Sequence, residues 1–459
     1  MIGRPVVGDL AWITSAVRDE LLLFSAIGFA LGGIDDLLID IVWIMRRIWR
    51  RLTVYSIHPR ATAAALPPSR TSGDIAVFIP AWREDAVIAD MLRRCISQWG
   101  EDGYRLFVGC YANDETTIAA VESVQDPQIR LVVGTAHGPT TKAGCLNVLY
   151  QAMVADEARS GVHFAAVLLH DAEDLVHRDE LRVHAALGDR FSLIQLPVLP
   201  LRQPQSRWVS GHYLDEFAEA HSRDMVVREA IGAALPSAGV GCSIRRAALA
   251  DIAASRGGLP FAEDSLTEDY ELGLRLGEIG LSGAFVRIAG DDGRIVATHA
   301  HFPATLATAV RQKTRWTIGI ALAGWDRVGW TGGLFERWMR LRDRRAPLAA
   351  LLLLSGYSAL ILTALLLTMS SDQRPLGPIL GGLLLVNGIL LLWRLLIRAS
   401  CVTRHYGWRE GLVSIPRMIT SNIIAMMAAR RAVSTYLRML KTGQVHWDKT
   451  EHSFPKGPL

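Results

Sequence analysis

Four short clusters in this chain carry residue types able to do chemistry: Asp114 in YAND, Asp171 to Asp174 in HDAED, Glu268 and Asp269 in TED, and Gln312, Arg315 and Trp316 in QKTRW. An acidic run such as DAED can hold a hard divalent cation, because such ions take one or two protein carboxylates and complete their shell with substrate phosphate oxygens. A carboxylate such as Asp269 can serve as a general base for an attacking hydroxyl. Gln312, Arg315 and Trp316 stand at i, i+3 and i+4, which puts an aromatic ring and hydrogen-bond donors on one helical face. Each cluster also has a plainer reading. Asp114 could be a solvated turn residue, DAED the acidic first turn of a helix, Thr267 an N-cap ahead of YELGLRL, and QKTRW an interfacial anchor.

The elements that would position these residues are strands. DIAVFIP (74–80), YRLFVGCY (104–111), IRLVVG (129–134), FAAVLLHD (164–171) and FSLIQLPV (191–198) are short, β-rich apolar runs separated by helix-compatible segments. Alternation of this kind predicts an α/β domain with an open parallel sheet, whose ligands bind beyond the carboxyl ends of the strands. PAWRE, with Pro80 and Glu84, YAND and HDAED all fall at such ends. Residues 58–73, rich in Ala, Pro and Ser, read as a linker leading into a domain over 74–335.

Apolar stretches flank this domain. Residues 348–369 carry no charge over about 20 residues, enough to cross a bilayer, and 376–397 follow after a short polar turn. The expected spans run over about 347–370 and 376–398, with an interfacial or re-entrant helix at about 409–435. A first span at about 21–45, within an N-terminal membrane segment 1–57, contains Asp35, Asp36 and Asp40. Each carboxylate at mid-membrane costs about 2.5 to 3.5 kcal/mol, so they must face protein, water or a partner. An interfacial helix is the alternative for this segment. Arginines at 46, 47, 50 and 51 and the basic run 336–345 assign the central domain to the cytoplasm. The net charge of +4 over 459 residues implies no nucleic-acid partner, and five scattered cysteines imply neither a zinc site nor a disulfide framework.

Taken together and in this order, the motifs resemble those of processive, membrane-bound family-2 glycosyltransferases, the group that includes cellulose, hyaluronan and poly-N-acetylglucosamine synthases. GGIDDLLID, HDAEDLVH and the closing WDKTEHSFP are most similar to its phage-adsorption protein B subgroup, glycosyltransferase-like inner-membrane components of an exopolysaccharide export system. The resemblance implies a GT-A type, Rossmann-like domain and an inverting transfer from a nucleotide-diphosphate sugar, a UDP-sugar above all, with Mg²⁺ or Mn²⁺. By that resemblance Pro80, Glu84, Asp114, Lys142 in KAGCLN and Asp171 contact the donor nucleotide, and Asp171 with Glu173 holds the metal. The family pattern is Asp, any residue, Asp, so Glu173 is a longer carboxylate than expected and Asp174 a displaced one. Asp269, beside Glu268, matches the base. Gln312, Arg315 and Trp316 with Gly241 and Cys242 match the acceptor site. Lys449, Thr450 and His452, in a gating-like tail over 442–455, would reach the pyrophosphate.

The implied partners are a nucleotide sugar, a growing glycan, the bilayer of a bacterial inner membrane, an outer-membrane export partner, and further copies of the chain or a small complex. Asp35, Asp36 and Asp40 are expected at an interface or channel of that assembly. Two alternatives stand beside a polymerising and exporting enzyme. One is a transferase that places a single sugar on a lipid carrier, and the other a non-catalytic membrane scaffold or phage receptor.

Overall fold

The computed structural model describes residues 4–71, 73–369 and 376–442. A long helix, α1 (Arg4–Thr53), leads through the linker to the α/β domain. The linker is docked at Thr62 and Ala63, where the Ala63 amide donates to the Ala289 carbonyl at 2.8 Å.

The domain begins with β1 (Asp74–Pro80), α2 (Ile88–Trp99), β2 (Tyr104–Tyr111), α3 (Glu115–Glu122), β3 (Ile129–Gly134), α4 (Lys142–Ser160) and β4 (Phe164–Leu169). Next come α5 (Glu180–Gly188), β5 (Leu193–Gln195), β6 (Val198–Pro200), α6 (Val209–Glu219), α7 (Met225–Ala230), β7 (Cys242–Arg245), α8 (Arg246–Ser255), α9 (Glu268–Glu278), β8 (Gly283–Phe285) and β9 (Thr298–Ala300). The main sheet has the order β3-β2-β1-β4-β7-β5-β8. Strands β1 to β4 are parallel, as the alternating pattern predicts, and Ile75 to Ile79 are buried on both faces between helices. The sheet is mixed further along, because β7 runs antiparallel to both β4 and β5. That four-residue strand follows two glycines with positive φ, Gly239 (75°) and Gly241 (57°), a turn that a side chain would strain.

The remaining helices are α10 (Leu306–Trp316), α11 (Gly324–Val328), α12 (Leu334–Arg344), α13 (Ala346–Met369), α14 (Pro378–Tyr406) and α15 (Trp408–Thr442). Among the described residues, four helices are long and apolar enough to cross a membrane: Ala11–Thr53 within α1, Ala346–Thr368, Pro378–Tyr406 and Trp408–Thr442. Helix α15 is longer than the interfacial or re-entrant segment expected from sequence and continues through Pro416. One face of it, including Ser414, Arg417, Ile424, Ala428 and Ala432, is buried and packs on α6, α10, α13 and α14. The exposed face carries Leu412, Ile419, Ile423 and Met427.

The α1 carboxylates find partners inside the chain, which corrects the expectation that they face a second copy or a channel. Asp35 and Asp36 pair with Arg342 and Arg345, and Asp36 also with Arg394. Asp40 accepts from Arg223 Nη1 at 2.8 Å and from Trp393 Nε1 at 2.9 Å. At the other end of this seam, Arg417 binds Asp215 of α6 through two N–H groups (2.8 and 2.6 Å), and both side chains are fully buried.

Removing one partner of such a pair leaves a buried, uncompensated charge. Arg417→Met is expected to destabilise the protein by about 3–5 kcal/mol, whereas Arg417→Met with Asp215→Leu should recover most of that loss. Thermal unfolding of the detergent-solubilised chain reads both; equal midpoints for the single and double variants would contradict this account.

Candidate active site

The carboxyl ends of β1, β2 and β4 open onto one cavity of about 470 Å³. Pro80 ends β1, and the loop after it is pinned by α3. Arg83, at φ 54°, donates its amide to Asp114 Oδ2 at 2.5 Å, and the Glu84 amide donates to Thr117 Oγ1 at 3.0 Å. Pro80 and Glu84 therefore line the cavity. Asp114 does not: it is 5% exposed and sits behind the loop, with its other oxygen accepting from Thr116 Oγ1 at 3.3 Å. Its observed contacts hold a strained loop, where direct nucleotide contact was expected. Trp82 packs edge-on against Tyr111, with centroids 5.2 Å apart, and both rings line the wall.

Lys142 is the first residue of α4, whose amino terminus is capped by Thr141 Oγ1 accepting from the Gly144 amide at 3.1 Å. Its Nζ lies 2.6 Å from Asp171 Oδ1 and 3.4 Å from the Gly239 carbonyl. Burial opposes its charge, but Asp171, Glu268 and Asp269 together outweigh that cost and hold the ammonium protonated above the usual lysine range. Asn147, on the same helix, clamps the 261–263 segment from behind. It donates to the Phe261 carbonyl and accepts from the Phe261 amide, each at 3.0 Å.

The structure separates the three acids of HDAED by role. Asp174 is 1% exposed, and its Oδ2 accepts from the Asp171 amide (2.9 Å) and meets His170 Nδ1 (2.9 Å), so it fixes the turn. His170 Nε2 lies 3.1 Å from Glu180 Oε1. Burial works against a charged imidazole here, yet the flanking Glu180 and Asp174 push its pKa up to about 10. Asp171 and Glu173 face the cavity beside Lys142. This donor set fits a hard divalent ion: two carboxylates open to a cleft and a lysine supply part of a diphosphate site. Among the described residues no group of three or more His, Cys, Asp or Glu side chains forms a full protein cage for a metal.

Across the cavity, Glu268 and Asp269 open α9, with Thr267 in the N-cap position but making no side-chain cap. Burial, then the neighbouring Asp269 charge, pushes Glu268 up to about 7. Asp269 is likewise raised by burial, against the pull of Lys142. A Cβ at Gly239 would strike the Asp269 carboxylate, so this glycine gives the acid its room. Gly241 and Cys242, expected at the acceptor, do not line the cavity. Cys242 is fully buried, accepts from Ser237 Oγ at 2.8 Å, and begins β7.

Gln312, Arg315 and Trp316 close the far end from α10, which begins with a capping box of Thr305 and Thr308. Gln312 Oε1 and Arg315 Nε are buried and have no hydrogen-bond partner among the described residues. The Trp316 ring stands 6.2 Å from Tyr213 and 6.3 Å from Phe217, with Lys313 Nζ 4.9 Å from its centroid. Sequence reasoning missed Trp82, Tyr111, Gln203, Phe217, His301 and Phe302, all of which line the cavity. Trp82 lay inside a motif already singled out, whereas Gln203, Phe217 and Phe302 arrive by tertiary convergence without a local signal. Lys449, Thr450 and His452 lie outside the described residues.

Three comparisons bear on this geometry. The chain is 36% identical over 454 residues to bacteriophage adsorption protein B of Escherichia coli strain K12, and equally to bacteriophage N4 adsorption protein B of Escherichia coli O157:H7. These alignments cover 93% of this chain and 60% of each relative, so the chain spans only part of their length. The mannosyltransferase PcManGT from Pyrobaculum calidifontis, solved in complex with GDP-Man and Mn²⁺, shares the fold at TM-score 0.53 and 17% identity, over 88% of this chain and 99% of that one. Residues 72–319 match the family described as glycosyltransferase like family 2, a stretch that contains every residue lining the cavity and more than half of the sequence. By that match the chain belongs to glycosyltransferase family 2.

Proposed function

We propose that this protein is an inverting glycosyltransferase that moves a sugar from a nucleotide-diphosphate donor, a UDP-sugar in the first instance, onto a growing glycan at the cytoplasmic face of a bacterial inner membrane. The supporting observation is one cavity shared by three separate segments: Lys142 with Asp171 and Glu173, Glu268 with Asp269, and Gln312 with Arg315 and Trp316. In this reading Asp269 takes the proton of the acceptor hydroxyl as its oxygen attacks the anomeric carbon. The bond from that carbon to the phosphate oxygen breaks with its electron pair, and the nucleoside diphosphate leaves. Lys142 offsets charge on the diphosphate. A divalent ion held by Asp171 and Glu173 would supply further neutralisation of the leaving group. Trp316 offers its face to the acceptor sugar, with Gln312 and Arg315 as hydrogen-bonding groups.

The arginines at the carboxyl end of α1 and in α12 support a cytoplasmic catalytic domain. Helix α15 fits an interfacial placement, its charged and packed face on the domain and its apolar stripe toward lipid. Among the described residues the cavity lining comes wholly from the α/β domain and α10, so the reading covers transfer and elongation and assigns no export path through the helices.

The deciding experiment supplies the full-length, detergent-solubilised protein with a panel of labelled nucleotide sugars and either Mg²⁺ or Mn²⁺, and determines product masses. Consumption of one donor into a glycan is expected; binding of nucleotide without any donor turnover would favour a scaffold. Asp269→Asn should cut transfer by about 10²–10⁴-fold while nucleotide affinity is kept. Because burial raises the pKa of Asp269 and favours its protonated form, the rate should fall on the acid side at a pH above the ordinary aspartate range. Glu268→Gln should shift that acid limb to lower pH, and a profile unchanged in position would remove the pair from catalysis. Chelation should abolish turnover and added Mn²⁺ or Mg²⁺ restore it, with Asp171→Asn needing more metal.

A further inference from the structure

A second cavity of about 320 Å³ opens between the 201–208 loop, α6 and the start of α15, a size within the range of about 300–1,000 Å³ found for ligand sites. Its charged lining residues are Arg202, Arg207, Glu410 and Arg417. The one carboxylate among them, Glu410, is engaged at 3.1 Å by Arg417, which is itself fully buried against Asp215. Arg202 and Arg207 are the surplus. Both are exposed, and among the described residues neither side chain comes within ion-pair distance of a carboxylate. Arg202 donates to the Tyr406 carbonyl and lies 5.8 Å from the centre of that ring, while the Arg207 carbonyl accepts from Arg417 Nη1 at 3.1 Å. Two guanidinium groups without a counter-ion suit the oxygens of a phosphate.

The surroundings of the mouth say which phosphate. Trp208 (49% exposed) directly follows Arg207, and Trp408 (63% exposed) directly precedes Arg409, whose guanidinium lies 5.4 Å from that indole. Segments about two hundred residues apart thus bring the same pairing of indole and guanidinium to the flanks of one cavity, the combination that the headgroup layer of a bilayer favours. One turn along α15, Leu412 starts the exposed apolar stripe of that helix. On the other side, Tyr406 closes α14, a helix long and apolar enough to cross a membrane, and its hydroxyl donates to the Pro200 carbonyl at 2.8 Å, holding the loop against the helix end. A soluble anion would use the arginines and leave the indoles and the stripe in water. A phospholipid uses all of them.

We infer that this cavity binds the headgroup of an anionic phospholipid, with Arg202 and Arg207 on the phosphate and Trp208, Trp408 and Leu412 in the adjoining leaflet. Such a lipid ties the 201–208 loop to the bilayer. Through Gln203, whose Nε2 donates to the Phe302 carbonyl at 2.7 Å, that loop reaches the aromatic wall of the first cavity. Lipid binding itself needs no glycosyl transfer.

The full-length protein in a neutral detergent is titrated with phosphatidylglycerol and, separately, with phosphatidylcholine of the same acyl chains, and bound lipids are counted by native mass spectrometry. The parent should hold one phosphatidylglycerol about tenfold or more tighter than phosphatidylcholine, the scale of two basic groups beside an anionic headgroup. Arg202→Gln combined with Arg207→Gln should bring that ratio toward one, whereas Arg207→Lys, which keeps the charge, should retain most of it. Arg337→Gln, at an exposed arginine of α12, should leave the ratio unchanged. Thermal midpoints of all variants should match the parent, since the substituted side chains are exposed. Equal affinity of the parent for both lipids, a ratio preserved in the double variant, or an equal loss in Arg337→Gln overturns the inference. Displacement of the lipid by inorganic phosphate at matching concentration also overturns it, in favour of a soluble anion.

Discussion

Charge buried at the seam between the α/β domain and the long apolar helices must be neutralised within the seam, and this requirement organises the molecule. Helix α6 presents Asp215, Glu216 and Glu219 to cations arriving from three other helices: Arg417 of α15, Lys313 of α10, and Arg394 and Arg398 of α14. Asp36 and Asp40 of α1 extend the array through Arg394 and Arg223. Desolvating one such ion costs several kcal/mol, and a partner at hydrogen-bond distance offsets most of that. Pairs of this kind are weak sources of net stability, yet they penalise any other register of the helices. The same α6 sets Tyr213 and Phe217 against Trp316, so the docking of the long apolar helices and the aromatic wall of the cavity share one element.

Within the catalytic cleft the same rule operates at shorter range. His170, buried between Asp174 and Glu180, anchors the DAED turn from below, and Lys142 spans from Asp171 to the Gly239 carbonyl beside Asp269. The acids that face solvent are thus separated from the acids that hold the frame. Asp171, Glu173 and Asp269 line the cavity, whereas Asp114 and Asp174 each accept from a backbone amide.

The parallel half of the sheet was legible in the sequence because its strands read as short, β-rich apolar runs, and β1, β2 and β3 begin and end where those runs do. The cavity-lining roles of Lys142, Asp171, Glu268, Asp269, Gln312, Arg315 and Trp316 were legible because motif order survives when spacing drifts. Strand β7 was not, since four residues after a glycine turn carry no period. Asp114 looked like Asp171, a carboxylate beyond a strand; only the neighbouring Arg83 amide, fixed by tertiary structure, distinguishes a clamp from a contact. The α1 carboxylates likewise signalled a partner without naming it, because Arg342, Arg345 and Arg394 lie some three hundred residues or more away along the chain.

Directly after Trp316 the chain widens into a π-helical turn, Thr317–Ala323, and another, Ala220–Asp224, follows α6. Such a turn accommodates one more residue than an α-turn, and each residue of an α-helix advances the azimuth by about 100°. The faces before and after these turns are therefore set independently: α10 addresses the cleft, while Arg327 of α11 points to Asp264 and Glu271. Loss of a single residue here would turn one face away from its target without altering any side chain that touches a ligand. Tolerance to insertions and deletions should consequently be low in both stretches, although neither contributes a residue to the cavity.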